Sequence, residues 1–410
     1  VADANVEWTQ GWRTVASGSV GMVFMTAVPT VTGVVMAPLM NEFGWSRAVI
    51  TANVLVCSLM TLLLAPVLGR LIRGYGPRRC ALGGVLGAVP ALVLIAMAGG
   101  SFWTWLAAWL VFAVINLGLS PMVWSSAVAG LFNRARGTAL AMTLSGAGVS
   151  YFVFPPLAVE AVKLFGWRGV YIGLAVLLLV VLLPLIYAWF RSSLDLQVTG
   201  LDRDRTAAPA PLTGLTPGEA MRTRQFWQFI AIAALMAVAE GALQVHLYPI
   251  LHEGGLAPGA AAWVVGLMGV AMILGRILIG FLQDRLPPVP VFGAAVLAVL
   301  TSALLAREFT GGAWMGSAVA ICLGFGSGGT LIGLAYLTSR YFGLLAYPSI
   351  YGLMMGGFSV GYGIAPVAAG HVRGETGSYM SIFNWLALAL FAALLLAAFL
   401  GRPKVSEAPA

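Results

Sequence analysis

The chain has 410 residues, is 60% hydrophobic and carries only 9% charged residues. Soluble domains carry about 25% charged residues, so the composition excludes a soluble enzyme or adaptor and implies a chain that crosses a membrane many times. The net charge of +8 does not indicate nucleic acid, because the basic residues sit in short loops between apolar runs, where they set topology.

A membrane-spanning helix needs about 20 apolar residues. Twelve runs meet that length: 14–40, 48–72, 80–98, 102–128, 138–162, 170–190, 226–250, 260–282, 289–305, 313–337, 350–367 and 378–400. Most are rich in Gly and Ala, which lets helices approach closely in lipid. With both termini on one side, that side carries sixteen Lys and Arg and the opposite side five: Arg47, Lys163, Arg168, Arg307 and Arg373. The positive-inside rule then puts both termini in the cytoplasm of a plasma membrane, here a bacterial inner membrane. Cys57, Cys80 and Cys322 lie in or beside apolar runs without metal or disulfide spacing and read as small hydrophobes.

The polar stretch 191–224, rich in Pro, Ala, Thr and charge, divides the chain near its middle. It reads as a cytoplasmic linker between six-helix bundles at 1–190 and 225–410, with PGEAMR as a short interfacial helix. The halves repeat. GRLIRGYGPRR after run two corresponds to GFLQDRLPP after run eight, Gly69 and Gly280 being 211 positions apart. Phe132, Gly146 and Pro156, entering run five, correspond to Phe342, Gly356 and Pro366, entering run eleven, at an offset of 210. Two matches at nearly one offset, each at the same point of a six-run cycle, argue for duplicated parallel halves.

These features together resemble the major facilitator superfamily. The loop after run two is similar to its G-x-x-x-D-R-x-G-R-R signature through Gly69, Gly76, Arg78 and Arg79, with Arg73 where the acidic residue belongs. The second copy keeps an acid–base pair, Asp284–Arg285. The resemblance implies an all-α fold of twelve transmembrane helices in two pseudo-symmetric bundles, with these residues in gating. NEFGWSRAVIT (41–51) resembles the start of helix two in monocarboxylate transporters and oxalate/formate exchangers. LFNRARGTALAMTLSGAGVS (131–150) resembles their helix-five motif, with Arg134 and Arg136 at the cytoplasmic rim and Gly146 and Gly148 permitting close packing. For both stretches packing and topology are sufficient reasons.

Arg276 lies inside run eight, eight residues from Asp284. At ~1.5 Å per residue that is about 12 Å, most of the way to the centre of a core about 30 Å thick. A guanidinium there costs at least ~2.5–3.5 kcal/mol and keeps its proton, so something must compensate it. A transient anion is one candidate; a structural pairing with a carboxylate or with helix carbonyls is the other. By resemblance Arg276 occupies the place of the helix-eight arginine that holds the substrate carboxylate in monocarboxylate transporters. Two positions depart from the animal members, with Met272 in place of their helix-eight Asp and Thr30 after Pro29 in place of their helix-one Lys. Run eleven has no Lys, Arg or His, unlike the oxalate exchanger.

Glu240 is a carboxylate deep in run seven. A carboxyl group taken out of water is a candidate proton carrier; a static pair with Arg276 is the alternative. His246 lies on another face, towards an outer vestibule, and reads first as a satisfied hydrogen-bonding residue. Asn116, Thr26, Thr30, Tyr351 and Tyr362 are polar groups at membrane depth that could donate to a carboxylate, and each has a packing explanation too.

The expected function is alternating-access transport of a small organic monocarboxylate with a proton, by a lipid-embedded chain for which a monomer suffices. A single cation suits one carboxylate, whereas a dicarboxylate would bury an unpaired charge. An oxalate/formate-type exchanger is the alternative within transporters; an efflux pump for amphiphiles or a transporter-like receptor comes after it. A nucleophile–base pair, a metal cluster and a Walker motif are all missing from the sequence, so neither enzyme chemistry nor a cofactor is expected. A tag inserted in 191–224 should resist protease in intact cells and be cleaved in inverted vesicles; cleavage from outside would overturn the assigned orientation.

Overall fold

The computed structural model describes residues 4–132, 135–192, 214–283, 285–343 and 345–401. Arg134, Asp284 and most of the 191–224 linker lie outside the described residues, as does the side chain of Arg136. The chain divides into two compact units, Val1–Arg205 and Thr206–Ala410. The first contains α1 (Ala4–Phe43), α2 (Arg47–Tyr75), α3 (Pro77–Ala96), α4 (Phe102–Asn116), α5 (Pro121–Leu131), α6 (Arg136–Leu144), α7 (Gly146–Leu177) and α8 (Leu183–Trp189). The second contains α9 (Pro217–Met221), α10 (Arg224–Glu253), α11 (Pro258–Gln283), α12 (Pro288–Arg307), α13 (Ala313–Phe342), α14 (Tyr347–Thr376) and α15 (Met380–Ala398).

Among the described residues eleven helices are long and apolar enough to cross a membrane. One of them, Gly137–Trp189, has 53 residues, about 80 Å of helix, which is far more than one crossing needs. It breaks at Gly166, whose φ of 69° and ψ of −177° are not helical, so it divides into two spans and the described residues hold twelve. The fourth crossing is α4 and α5 joined by a 3-10 turn at Leu117–Leu119. There Gly118 meets the backbone of Gly84 so closely that a Cβ on either would collide with the other. Pro121 then restarts the helix at its first turn, where its missing N–H leaves no bond unmade.

Two sequence motifs have local structural reasons. In FGWSR, Gly44 takes φ of 67°, and Ser46 caps α2 by accepting from the Val49 N–H at 3.4 Å. Within the described end of the linker, PGEAM forms α9, closed by a capping box between Thr216 and Glu219. The Thr216 N–H and hydroxyl hold the Glu219 carboxyl below the usual carboxylate range.

α1 begins ten residues before the expected apolar run, because its polar first turns have a packing role. The Glu7 carboxylate accepts from the Ala135 N–H at 3.1 Å, and Trp8 meets Phe132 edge-on at 5.1 Å. The second unit treats its corresponding loop alike: Leu215 N–H donates to the Phe342 carbonyl at 2.8 Å, and Gly214 pairs with Gly343. Phe132 and Phe342, the repeat-related aromatics, are both fully buried. In each unit the segment leading into the first helix holds the turn leading into the fifth.

Among the expected gating residues, Gly76 joins α2 to α3 with φ of 82°. Arg78 donates to the Tyr187 carbonyl at 2.7 Å, tying that turn to α8. Arg285 lies over the Phe281 ring at 3.5 Å. Arg73 and Arg79 are exposed and Gly69 is half-buried.

The helix pair that positions Arg276 is α11 with α13. Gly324 and Gly328 on α13 lie against the carbonyls of Met268 and Met272, and Gly275 on α11 lies against the Phe325 backbone. This stripe of small residues brings two backbones together, as close helix pairs in lipid require. A methyl group at Gly328 would overlap Met272, so Gly328→Ala should cost about 1–3 kcal/mol by overpacking. Gly280→Ala, on α11, would meet Ile332 at an ordinary 3.6 Å and should be neutral or stabilising by up to ~1 kcal/mol. Melting temperatures in detergent check this, and equal values for the two variants would refute it.

Candidate functional site

The ionisable and polar groups at membrane depth in the second unit come from four helices: α10, α11, α13 and α14. Arg276 on α11 is 6% exposed and Glu240 on α10 is 3% exposed. Each lies within electrostatic range of the other, and Arg276 is equally within range of Tyr351 on α14. The helices are spaced by the same small-residue contacts. Gly241, next to Glu240, abuts the Tyr362 backbone, and Gly361 abuts the Ala234 carbonyl, so α10 and α14 pack closely here.

The Glu240 carboxylate is held by a hydroxyl group. Thr330 Oγ1 donates to Glu240 Oε1 at 2.6 Å, a length typical of a hydroxyl on an ionised acceptor. Ser327 lies one turn from Thr330 on α13 and is likewise buried. Gln244, one turn beyond Glu240 on α10, donates from Nε2 to Ser327 Oγ at 2.9 Å. The Tyr362 hydroxyl donates to Gln244 Oε1 at 3.1 Å. All of Ser327, Thr330 and Gln244 are buried. In this low-dielectric setting each bond is stronger than in water, and leaving one unmade costs more.

The sequence-derived candidates fall into two groups. Glu240, Arg276, Tyr351 and Tyr362 converge in the second unit. Tyr351 stacks on Tyr347 at 5.6 Å and donates to the Leu331 carbonyl at 3.3 Å. Asn116 and Thr30 belong to the first unit. Thr30 spends its proton on the Ala27 carbonyl at 2.6 Å, and Thr26 does the same to Met22 at 2.9 Å. Asn116, at the unwinding end of α4, borders a small apolar pocket with Phe24, Phe112, Leu119 and Leu174.

His246 does not lie towards an outer vestibule. It is 1% exposed, with Nε2 2.9 Å from the Pro366 carbonyl and Nδ1 3.0 Å from the Tyr379 hydroxyl. A carbonyl only accepts, so Nε2 carries a proton, and in the neutral ring Nδ1 accepts from Tyr379. The imidazole joins α10 to α14 and the start of α15.

Three site residues escaped the sequence reading: Gln244, Ser327 and Thr330. Their spacing was the available signal. Gln244 is four residues from Glu240, and Ser327 and Thr330 are three apart within GFGSGGT; both spacings put side chains on one helix face.

Two six-helix units, with a guanidinium and a carboxylate buried at membrane depth, define the class of polytopic membrane carriers. The comparisons give the family. The Major Facilitator Superfamily profile matches residues 18–254 and again 241–410. The chain is 27% identical over 343 residues to monocarboxylate transporter 13 of Bos taurus, covering 78% of this chain and 72% of that protein. It is 24% identical over 437 residues to monocarboxylate transporter 12 of Rattus norvegicus, covering 97% and 86%. It is 28% identical over 270 residues to monocarboxylate transporter 11 of Homo sapiens, covering 62% of this chain and 54% of that protein. The chain belongs to the major facilitator superfamily and is an integral membrane transporter.

Proposed function

We propose that the protein moves a small organic monocarboxylate across the membrane by alternating access, together with a proton. The observation that carries this reading is the Arg276 guanidinium buried at membrane depth in the same unit as the buried Glu240 carboxylate, which accepts from the Thr330 hydroxyl. A guanidinium presents a rigid fork that matches a carboxylate in two parallel bonds, so Arg276 binds the substrate carboxylate. Glu240 carries the coupled proton. Tyr351, Tyr362, Asn116 and Thr30 are the other residues assigned to substrate binding. Gly69, Arg73, Gly76, Arg78, Arg79, Arg134, Arg136, Asp284 and Arg285 serve gating. Both termini face the cytoplasm of a bacterial inner membrane, 191–224 links the bundles at 1–190 and 225–410, and a monomer suffices.

The names of the relatives support this substrate class. A thermal-shift screen against pyruvate, propionate, butyrate and dicarboxylates tests it, since binding stabilises the folded carrier by mass action; stabilisation by dicarboxylates alone would favour an exchanger of the oxalate type. Arg276→Lys keeps the charge but loses the fork, and should reduce uptake by proteoliposomes to near background while the protein still folds. Normal transport by Arg276→Ala would refute the carboxylate role.

Glu240→Gln mimics a permanently protonated acid. It should abolish accumulation driven by an imposed pH gradient and leave substrate exchange largely intact. If Glu240 and Arg276 were instead a static pair, the variant would strand a buried guanidinium at a cost of ~3–5 kcal/mol, and both melting temperature and exchange would fall. Unchanged pH-driven accumulation would place the proton elsewhere.

A further inference from the structure

The first unit gathers charge and aromatic surface at one end. Arg13, Arg78 and Arg191 each lie one or two residues outside an apolar run, 14–40, 80–98 and 170–190 respectively. That level is the boundary between hydrocarbon and water, where the phosphates of a bilayer lie. The three arginines belong to α1, the start of α3 and the end of α8, and close contacts join these elements. Trp12 meets Trp189 edge-on at 5.2 Å, and Thr14 Oγ1 donates to the Arg191 carbonyl at 3.0 Å. Arg78, which donates to the Tyr187 carbonyl, also lies over the Tyr187 ring at 5.7 Å. The Arg13 guanidinium lies over the Trp12 ring, again at 5.7 Å.

Arg13, Arg191, Trp12 and Tyr187 are exposed, and Arg78 and Trp189 are half-buried. Trp and Tyr rings settle at the level of lipid headgroups, so the bilayer alone accounts for the aromatics. The charges need a partner. Among the described residues no acidic side chain pairs with Arg13, Arg78 or Arg191. Glu7, the acid nearest Arg13 along α1, is buried and accepts from the Ala135 N–H. The segment 69–80, joining α2 to α3, carries four arginines and no acid. Cations gathered at one depth repel each other, and an anion shared among them removes that repulsion.

We propose that this end of the first unit binds the headgroup of an anionic phospholipid. Arg13, Arg78 and Arg191 hold its phosphodiester, and its glycerol region rests on Trp12, Tyr187 and Trp189. A guanidinium fork matches phosphate oxygens in paired bonds, and basic pockets between helix ends suit such headgroups. An ammonium-bearing headgroup finds no carboxylate here among the described residues. The surface therefore favours phosphatidylglycerol over phosphatidylethanolamine and phosphatidylcholine. The second unit does not repeat it, because Val289 stands 211 positions after Arg78. The inference is independent of the transported substrate and holds for either orientation of the chain in the membrane.

The test titrates the purified full-length protein in detergent with phosphatidylglycerol, phosphatidylethanolamine or phosphatidylcholine and reads bound lipid by native mass spectrometry. Wild type should hold one phosphatidylglycerol more tightly than either zwitterionic lipid. A basic residue at an anionic headgroup is worth roughly fivefold in affinity. Arg13→Gln combined with Arg191→Gln should therefore weaken phosphatidylglycerol by roughly 25-fold and leave phosphatidylcholine unchanged. Both side chains are exposed, so the melting temperature should not fall. Arg70→Gln removes a charge from exposed α2 surface and should keep wild-type affinity. A loss there as large as that of Arg13→Gln would mean diffuse attraction and overturn the site. Equal retention of the three lipids by wild type, or wild-type affinity in the double variant, would overturn it too. Glycerol phosphate at the same concentration should not displace the lipid; displacement would make this a site for a soluble phosphate ester and overturn the lipid assignment. Should the double variant not fold, Arg13→Gln and Arg191→Gln decide singly, each with a roughly fivefold loss; wild-type affinity in both overturns the proposal.

Discussion

A guanidinium at membrane depth cannot lose its proton, and the surrounding hydrocarbon gives its charge almost no screening. Much of the second unit can be understood as accommodating Arg276. Glycines on α11 and α13 let the two backbones touch, which puts the arginine beside α13. On the same helix Thr330 faces Glu240 of α10 and its hydroxyl donates to the carboxylate. Two opposite charges lie within electrostatic range, with a hydroxyl group on the acid. The Coulomb attraction stabilises both.

The first unit is built on the same plan but put to different use. Its close glycine contacts, Gly84 with Gly118 and Gly146 with the Ser19 carbonyl, pack helices, and its membrane-depth threonines are directed at their own backbone. The clasp between the leading segment and the turn before the fifth helix is common to both units, through Phe132 and Phe342. A duplicated chain thus keeps the mechanical contacts in both copies, while the buried charges that compensate each other lie in one.

Hydrogen-bond partners separate a buried histidine from a buried acid. Both ring nitrogens of His246 are engaged, by the Pro366 carbonyl and the Tyr379 hydroxyl. Glu240 accepts from the Thr330 hydroxyl, and a hydroxyl can also accept, so this contact tolerates a change of charge.

Composition and hydropathy determined the fold class, the number of crossings and the two-unit organisation. Burial of apolar surface and satisfaction of backbone groups in lipid leave few other arrangements. The depth of Arg276 and Glu240 was also legible, because helical rise converts position in a run into depth. Tertiary structure alone decided which polar groups meet. Gln244, Ser327, Thr330 and Tyr362 lie on three helices separated by up to 118 positions in the chain, and the contacts between those helices depend on glycine placement, which no single-helix pattern reveals. The early start of α1 is of the same kind, since it needs a loop for Glu7 to hold, whereas the break at Gly166 falls between the apolar runs 138–162 and 170–190 and was legible in the sequence.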